Sequence, residues 1–255
     1  MTEKKEHIWF DDYTTSFINS NPSIEAPLVL KQEHCLRVSH EMRKLADSLK
    51  LPESEIAICA AAGLLHDVGR FEQYKKYRTF LDIKSVNHAE VGVNVIKASS
   101  ALDRFNPDVR KQILMAISYH NRATLPDSEE CLRLSKMLRD ADKIDIWKVV
   151  IDYFKKPDAK QKKAIELNLP DTPSYSKKVV ESIKSRKLSS IKSLESVNDF
   201  KLLLIGWVYD INFPHSFKVI QKRNYIKKLQ SFLPPEEEIS TICNLATEYV
   251  NECCR

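Results

Sequence analysis

Histidine and aspartate are the residues to follow in this chain of 255 residues. His34 heads a stripe that continues through Val38, Met42 and Leu45 at helical spacing. His88 shares a face with Val91 and Val95, and His120 follows Ile113 and Ile117 by seven and three positions. His66 and Asp67 close an apolar helix after Ala60, Gly63 and Leu64, and Asp142 lies four residues after Leu138 and four before Ile146. Asp140 and Asp145 fit that last stripe less well. A single inward histidine is ordinarily a core residue hydrogen-bonded to a carbonyl. A buried carboxylate is costly unless it is paired or bound to a cation, and neutral imidazoles beside it complete a transition-metal ligand set. Crowded protonated histidines would repel one another, whereas coordination uses the neutral ring. These residues together predict a metal site. His7, His40 and His215 stand in polar or irregular surroundings and read as surface or structural residues.

The dyad His66-Asp67 within LLHDVGR, with His34 upstream and Asp142 downstream in RDADKIDIW, resembles the HD-domain superfamily of metal-dependent phosphohydrolases over about residues 26–150. The resemblance implies an all-α helical bundle and one or two divalent transition metals, drawn from Mn, Fe, Co, Ni or Zn. Carried over residue by residue, His34, His66, Asp67 and Asp142 would hold the first metal. The segments NHAEVG and SYHN are similar to those that hold a second metal in binuclear members, which adds His88 and His120 as partners of Asp67. Adjacent residues diverge by about 100° on a helix, so both members of the dyad can ligate only near a helix end. An aspartate there can bridge two cations, which about 3.5–4 Å apart would clamp the attacking and leaving oxygens of a phosphoryl transfer, with a metal-activated hydroxide as nucleophile. With a single metal, His88 and His120 would instead contact phosphate or protonate the leaving group.

Around this set, Asp67 and Lys143, the neighbour of Asp142, are the catalytic candidates. The segment after the dyad, GRFEQYKKYRTFLD, carries Arg70, Lys75, Lys76, Tyr77 and Arg78. Arg70, Tyr77 and Arg78 are taken as substrate-binding residues, because such donors neutralise phosphate oxygens, arginine bidentately. The competing reading is a solvated loop paired with Glu72 and Asp82. The expected substrate is a small anionic phosphorylated metabolite, nucleotides included, cleaved as a monoester or diester. The GYP signature of cyclic-dinucleotide-cleaving relatives is missing, and nothing follows that resembles the synthetase half of alarmone enzymes. Two other readings use the same ligands: a di-iron oxygenase, marked by dioxygen consumption, and a non-catalytic metabolite-binding module.

The elements that position these residues read as helices throughout. The expected spans are about 26–50, 52–68, 84–99, 107–120 and 129–154, then 175–187, 198–211, 215–231 and 235–252. Gly69 stands as the C-terminal cap of the second, and residues 155–175, with Pro157, Pro170 and Pro173, read as a looped junction. The organisation is a single all-α unit over 1–255, with a metal-binding core at 26–150 and a C-terminal helical extension at 151–255 packing on it. Trp207, Tyr209 and Phe213 read as an aromatic packing cluster. Only 4 glycines are present and no phosphate-cradling glycine loop. A net charge of +5 from 40 basic and 35 acidic residues makes the lysine pairs solvated helix faces, so neither nucleic acid nor membrane is an expected partner. The amino-terminal residues lack a signal-peptide core and the six cysteines form no CxxC pair, which together predict a cytoplasmic protein with free thiols.

Overall fold

A computed structural model describes residues 5–19, 25–125 and 129–254. Every regular element among them is helical, in agreement with the all-α expectation, and no helix there is long and apolar enough to cross a membrane. The chain divides into two compact units, 1–145 and 146–255.

The first unit holds α1 (Lys5–Ile18), α2 (Glu25–Ser48), α3 (Glu53–Leu65), α4 (Gly69–Tyr77), α5 (His88–Lys97), α6 (Pro107–Tyr119) and the first part of α7 (Glu129–Lys155). In α3 the whole run from Cys59 to Leu65 is buried, the pattern of a helix surrounded by others. Small residues let α2 come against it at backbone distance. A Cβ on Gly63 would lie 2.9 Å from the Ser39 Cα, and the Ser39 hydroxyl donates to the Ala60 carbonyl at 2.8 Å. This close approach sits near His34 on α2 and three residues before His66, which follows α3. Asn87 and Asn106 start α5 and α6 by accepting the backbone N–H groups of Ala89 and Val109. Phe17, Leu28, Phe71 and Tyr74 form an apolar cluster that joins α1, α2 and α4.

Several elements differ from the sequence reading. The helix expected to run to Val68 ends at Leu65, and the chain continues in tight i to i+3 turns, Val68 to Leu65 and Arg70 to Asp67. Gly69 is not a cap: its φ is not positive, and it opens α4. Its lack of a side chain serves packing instead, since a Cβ there would lie 2.1 Å from the His88 carbonyl oxygen and 2.5 Å from the Gly92 nitrogen. The solvated-loop alternative for residues 70–82 gives way to helix as far as Tyr77, because Phe71 and Tyr74, one turn apart, bury a short apolar edge. α1 has no counterpart in the sequence reading.

The second unit holds the rest of α7, then α8 (Ala159–Ile165), α9 (Lys177–Lys184), α10 (Val197–Gly206), α11 (Pro214–Arg223), α12 (Tyr225–Gln230) and α13 (Glu237–Cys253). The expected junction contains α8, capped by Asp158. The helix expected over 215–231 is two, broken at Asn224, which adopts a left-handed φ of 55°. All of α10 is buried, and Asp199 within it is satisfied by the Ser176 N–H, the Ser176 hydroxyl and the Glu195 N–H. Trp207 meets Trp147, and Tyr209 meets Tyr249. Cys35, Cys59 and Cys243 are buried and free; the Cys131 side chain lies outside the described residues.

Gly69→Ala should lower the urea unfolding midpoint by the equivalent of about 1–3 kcal/mol, because backbone atoms, not flexible side-chain tips, oppose the added methyl. A midpoint equal to wild type would show that α4 and α5 do not depend on this approach.

Candidate metal centre

His34 reaches the site from the third turn of α2, His66 and Asp67 from the turn after α3, and Asp142 from α7. Because α3 has ended, the adjacent dyad escapes the angular divergence of a continuous helix. The His34 and His66 Nε2 atoms are 3.2 Å apart. Asp142 Oδ1 lies 3.1 Å from His34 Nε2 and 3.6 Å from His66 Nε2, and Asp67 Oδ2 lies 3.6 and 3.7 Å from the same two atoms. A cation about 2.1 Å from each of its ligands in tetrahedral geometry separates those ligands by about 3.4 Å. His34, His66 and Asp142 therefore have the spacing of a coordination shell, and Asp67 Oδ2 stands at a similar distance from both imidazoles.

A second set adjoins the first. His88 opens α5 and His120 ends α6, and their Nε2 atoms are 3.0 Å apart. The other oxygen of Asp67, Oδ1, lies 3.2 Å from His88 Nε2 and 3.7 Å from His120 Nε2. His66 also comes within 4.8 Å of the Asp67 and His120 ligand atoms, so the two sets share an edge. Asp67 is thus divided, with one oxygen toward each set. Its side chain is only 3% exposed.

The histidine tautomers test whether cations fit. Nδ1 of His34 faces Asp145 Oδ2 at 2.7 Å, that of His66 the Gly63 carbonyl at 2.8 Å, that of His88 Asp82 Oδ2 at 2.7 Å, and that of His120 the Ile117 carbonyl at 2.6 Å. All four are acceptors, which assigns the proton of each neutral ring to Nδ1 and leaves a lone pair on its Nε2. Two pairs of Nε2 lone pairs then confront each other at 3.2 and 3.0 Å. Neutral rings in that arrangement cannot hydrogen-bond to one another. A cation between them resolves the conflict, and outer hydrogen bonds of this kind orient metal-ligating imidazoles. The histidine and aspartate groups are able to hold a metal ion.

Charge around the ligands is closely balanced. Asp145 is gripped by Arg37 through Nε at 2.7 Å and Nη2 at 3.1 Å. Asp82 takes Arg70 Nη1 at 3.0 Å and Gln73 Nε2 at 2.8 Å besides His88. Lys31 Nζ lies 2.7 Å from Asp67 Oδ2, and Arg70 Nε lies 3.3 Å from Asp67 Oδ1. Burial would raise the Asp67 pKa, but Lys31, His66 and Arg70 hold it well below the usual carboxylate range. Burial likewise opposes ionisation of Asp142, and its hydrogen bonds to His34 and His66 keep it well below that range. For His34, burial and Lys31 favour the neutral ring, yet Asp142 and Asp145 leave its pKa above the ordinary value. For His88, burial and Arg70 prevail over Asp67 and Asp82, and its pKa is lowered.

Of the residues assigned to substrate, Arg70 joins the cluster through Asp67. Tyr77 and Arg78 lie exposed at the far end of α4, and no hydrogen bond or ion pair joins either to the cluster. Lys143 is buried beside Asp142. Of the other residues at the site, the sequence reading passed over Lys31, named Asp82 only as a pairing partner of the basic segment, as its ion pair with Arg70 bears out, and set Asp145 aside as fitting its stripe less well. Two of these carried a signal: Lys31 precedes His34 by three residues and Asp145 follows Asp142 by three, neighbours on one helix face. Asp82 sits in a short 3-10 turn, where no periodicity points to it.

Histidine and aspartate side chains from α2, the turn after α3, α5, the end of α6 and α7 thus form clusters that could hold a metal ion. Residues 32–147 match the family model of the HD domain. No curated protein and no solved structure matched the chain.

Asp145→Asn should weaken Mn²⁺ binding by about 10- to 100-fold, since the amide supports the His34 imidazole less strongly than the carboxylate. Calorimetric titration of metal-free protein measures this; equal affinity would show that Asp145 does not tune His34.

Proposed function

We propose that this chain is a phosphohydrolase that uses two divalent transition metals to cleave a phosphate ester of a small anionic metabolite, nucleotides included. The observation that carries the reading is the division of Asp67, whose oxygens face two histidine sets at 3.2–3.7 Å. Bound there, the cations would lower the pKa of a water and polarise a phosphoryl oxygen. The nitrogen-rich donor set supports Mn, Fe, Co, Ni or Zn over Mg, which prefers oxygen ligands and retained water.

The protein's own groups supply position and charge. His34, His66 and Asp142 complete the first set around Asp67 Oδ2, and His88 with His120 completes the second around Oδ1. Arg70 is fixed by Gln73, Asp82 and Asp67, so its guanidinium is already oriented beside the bridging carboxylate, where it can receive a phosphate oxygen without reorganisation. Arg78 lies eight residues further on, about 12 Å along a helix. With Tyr77 it would meet the portion of the substrate remote from the reacting phosphate. Lys143, buried next to Asp142, is retained as a catalytic candidate. The free cysteines support a reducing, cytoplasmic setting.

Phosphate release from a panel of nucleotides and sugar phosphates, with Mn²⁺, Co²⁺, Ni²⁺ or Mg²⁺ added, tests the proposal. Release should depend on metal and fall to background in Asp67→Ala, and His120→Ala should take metal content from two ions per chain to one. Turnover retained in Asp67→Ala, or dioxygen consumption by metal-loaded protein without phosphate release, would overturn the reading.

A further inference from the structure

Lys31 stands one turn before His34 on α2, and its ammonium lies 2.7 Å from Asp67 Oδ2, the oxygen directed at the first histidine set. Among the described residues this is its one hydrogen bond, so two of its N–H groups are unspent. Arg70 is similarly arranged on the other oxygen. Its Nη1 is consumed by Gln73, the Phe80 carbonyl and Asp82, while its Nη2 takes no partner among the described residues. Both side chains lie against the Phe80 ring, Lys31 Nζ at 5.5 Å and the Arg70 guanidinium at 5.9 Å from its centroid, a contact that holds cations in place. They remain accessible, at 17% and 15% exposure, whereas Asp67 is at 3%.

We infer that Lys31 and Arg70 form the receptor for a terminal phosphate, so that the substrate is a phosphomonoester and not a diester; the inference rests on the two-cation reading above. Charge decides between the two ester classes. Two divalent cations bring four positive charges, Asp67 and Asp142 remove two, and Lys31 restores one. Arg70 is offset by Asp82 and Arg37 by Asp145. Counted over the two cations, their carboxylates, Lys31 and the paired arginines, the excess is three positive charges in a region poorly screened by water. A phosphodiester answers one of them and a terminal phosphate two. Like charges also bear on Lys31 itself. An ammonium one hydrogen bond from a metal-binding oxygen is repelled by the cation unless an anion is shared between them, and the spare oxygens of a terminal phosphate are suited to that position. Arg70 Nη2 presents two further N–H groups to the same anion.

The test is calorimetric binding to full-chain, Mn²⁺-loaded protein, with inorganic phosphate as the terminal-phosphate probe and dimethyl phosphate as the diester probe, beside metal analysis of each sample. Wild type should bind phosphate at least about tenfold more tightly than dimethyl phosphate. Lys31→Met should lose about tenfold or more in phosphate affinity at full metal content, and Lys31→Arg should restore most of it. Undiminished phosphate binding by metal-loaded Lys31→Met, or loss of metal together with phosphate, would overturn the role given to Lys31. Equal affinity of wild type for the two probes would overturn the ester class, a result that stands even where Lys31→Met does not fold. Metal-loaded wild type that binds neither probe would overturn the hydrolase reading itself.

Discussion

Asp67 is a carboxylate almost without access to water, and its two oxygens face in different directions, each toward a pair of imidazole lone pairs. Such a group is costly to bury and is kept ionised only by positive charge. Lys31 and Arg70 supply part of that charge from the protein, one at each oxygen. The confronting Nε2 atoms call for the rest, because every Nδ1 is committed to an acceptor and the rings cannot satisfy one another. Much of the first unit can be understood as what is required to hold this one carboxylate in place.

Backbone contact is the means. Gly63 lets α3 meet α2 at Ser39, and Gly69 lets the start of α4 meet the start of α5 at His88 and Gly92. The first contact stands beside His34 and His66, the second beside Asp67 and His88. Between them the chain turns through His66, Asp67 and Val68 in i to i+3 steps, which frees two consecutive side chains to serve one site. A second ring of Asp145, Asp82 and two backbone carbonyls then fixes the tautomers, and Arg37, Arg70 and Gln73 fix those carboxylates in turn. Precision comes from these nested supports, each with its own partner.

The inward histidines were legible because each rides on an apolar stripe with three- and four-residue steps, and the all-α class followed from the same periodicity. The resemblance to the HD domain could be recognised from the dyad with its flanking histidine and late aspartate. Other features lay beyond such patterns. Gly69 suggested a cap from its place after an apolar run, but a glycine needed for backbone approach looks the same in sequence as one needed for a left-handed turn. α4 is short, and its inward side mixes Phe71 and Tyr74 with the buried amide of Gln73, which blurs the stripe. Asp82 acts from a turn without periodicity. Lys31 and Asp145 shared a helix face with a ligand, yet which charged neighbour folds inward depends on the partner that meets it: Asp67 for Lys31, and His34 with Arg37 for Asp145.

The central claim is that Asp67 joins two cation sites. Crystals of the full chain grown with Mn²⁺, with data collected where manganese scatters anomalously, test it most directly. Two anomalous peaks about 3.5–4 Å apart are predicted, one among His34, His66 and Asp142, the other between His88 and His120, with one oxygen of Asp67 bound to each. A single peak, or two peaks that do not share Asp67, would contradict the account.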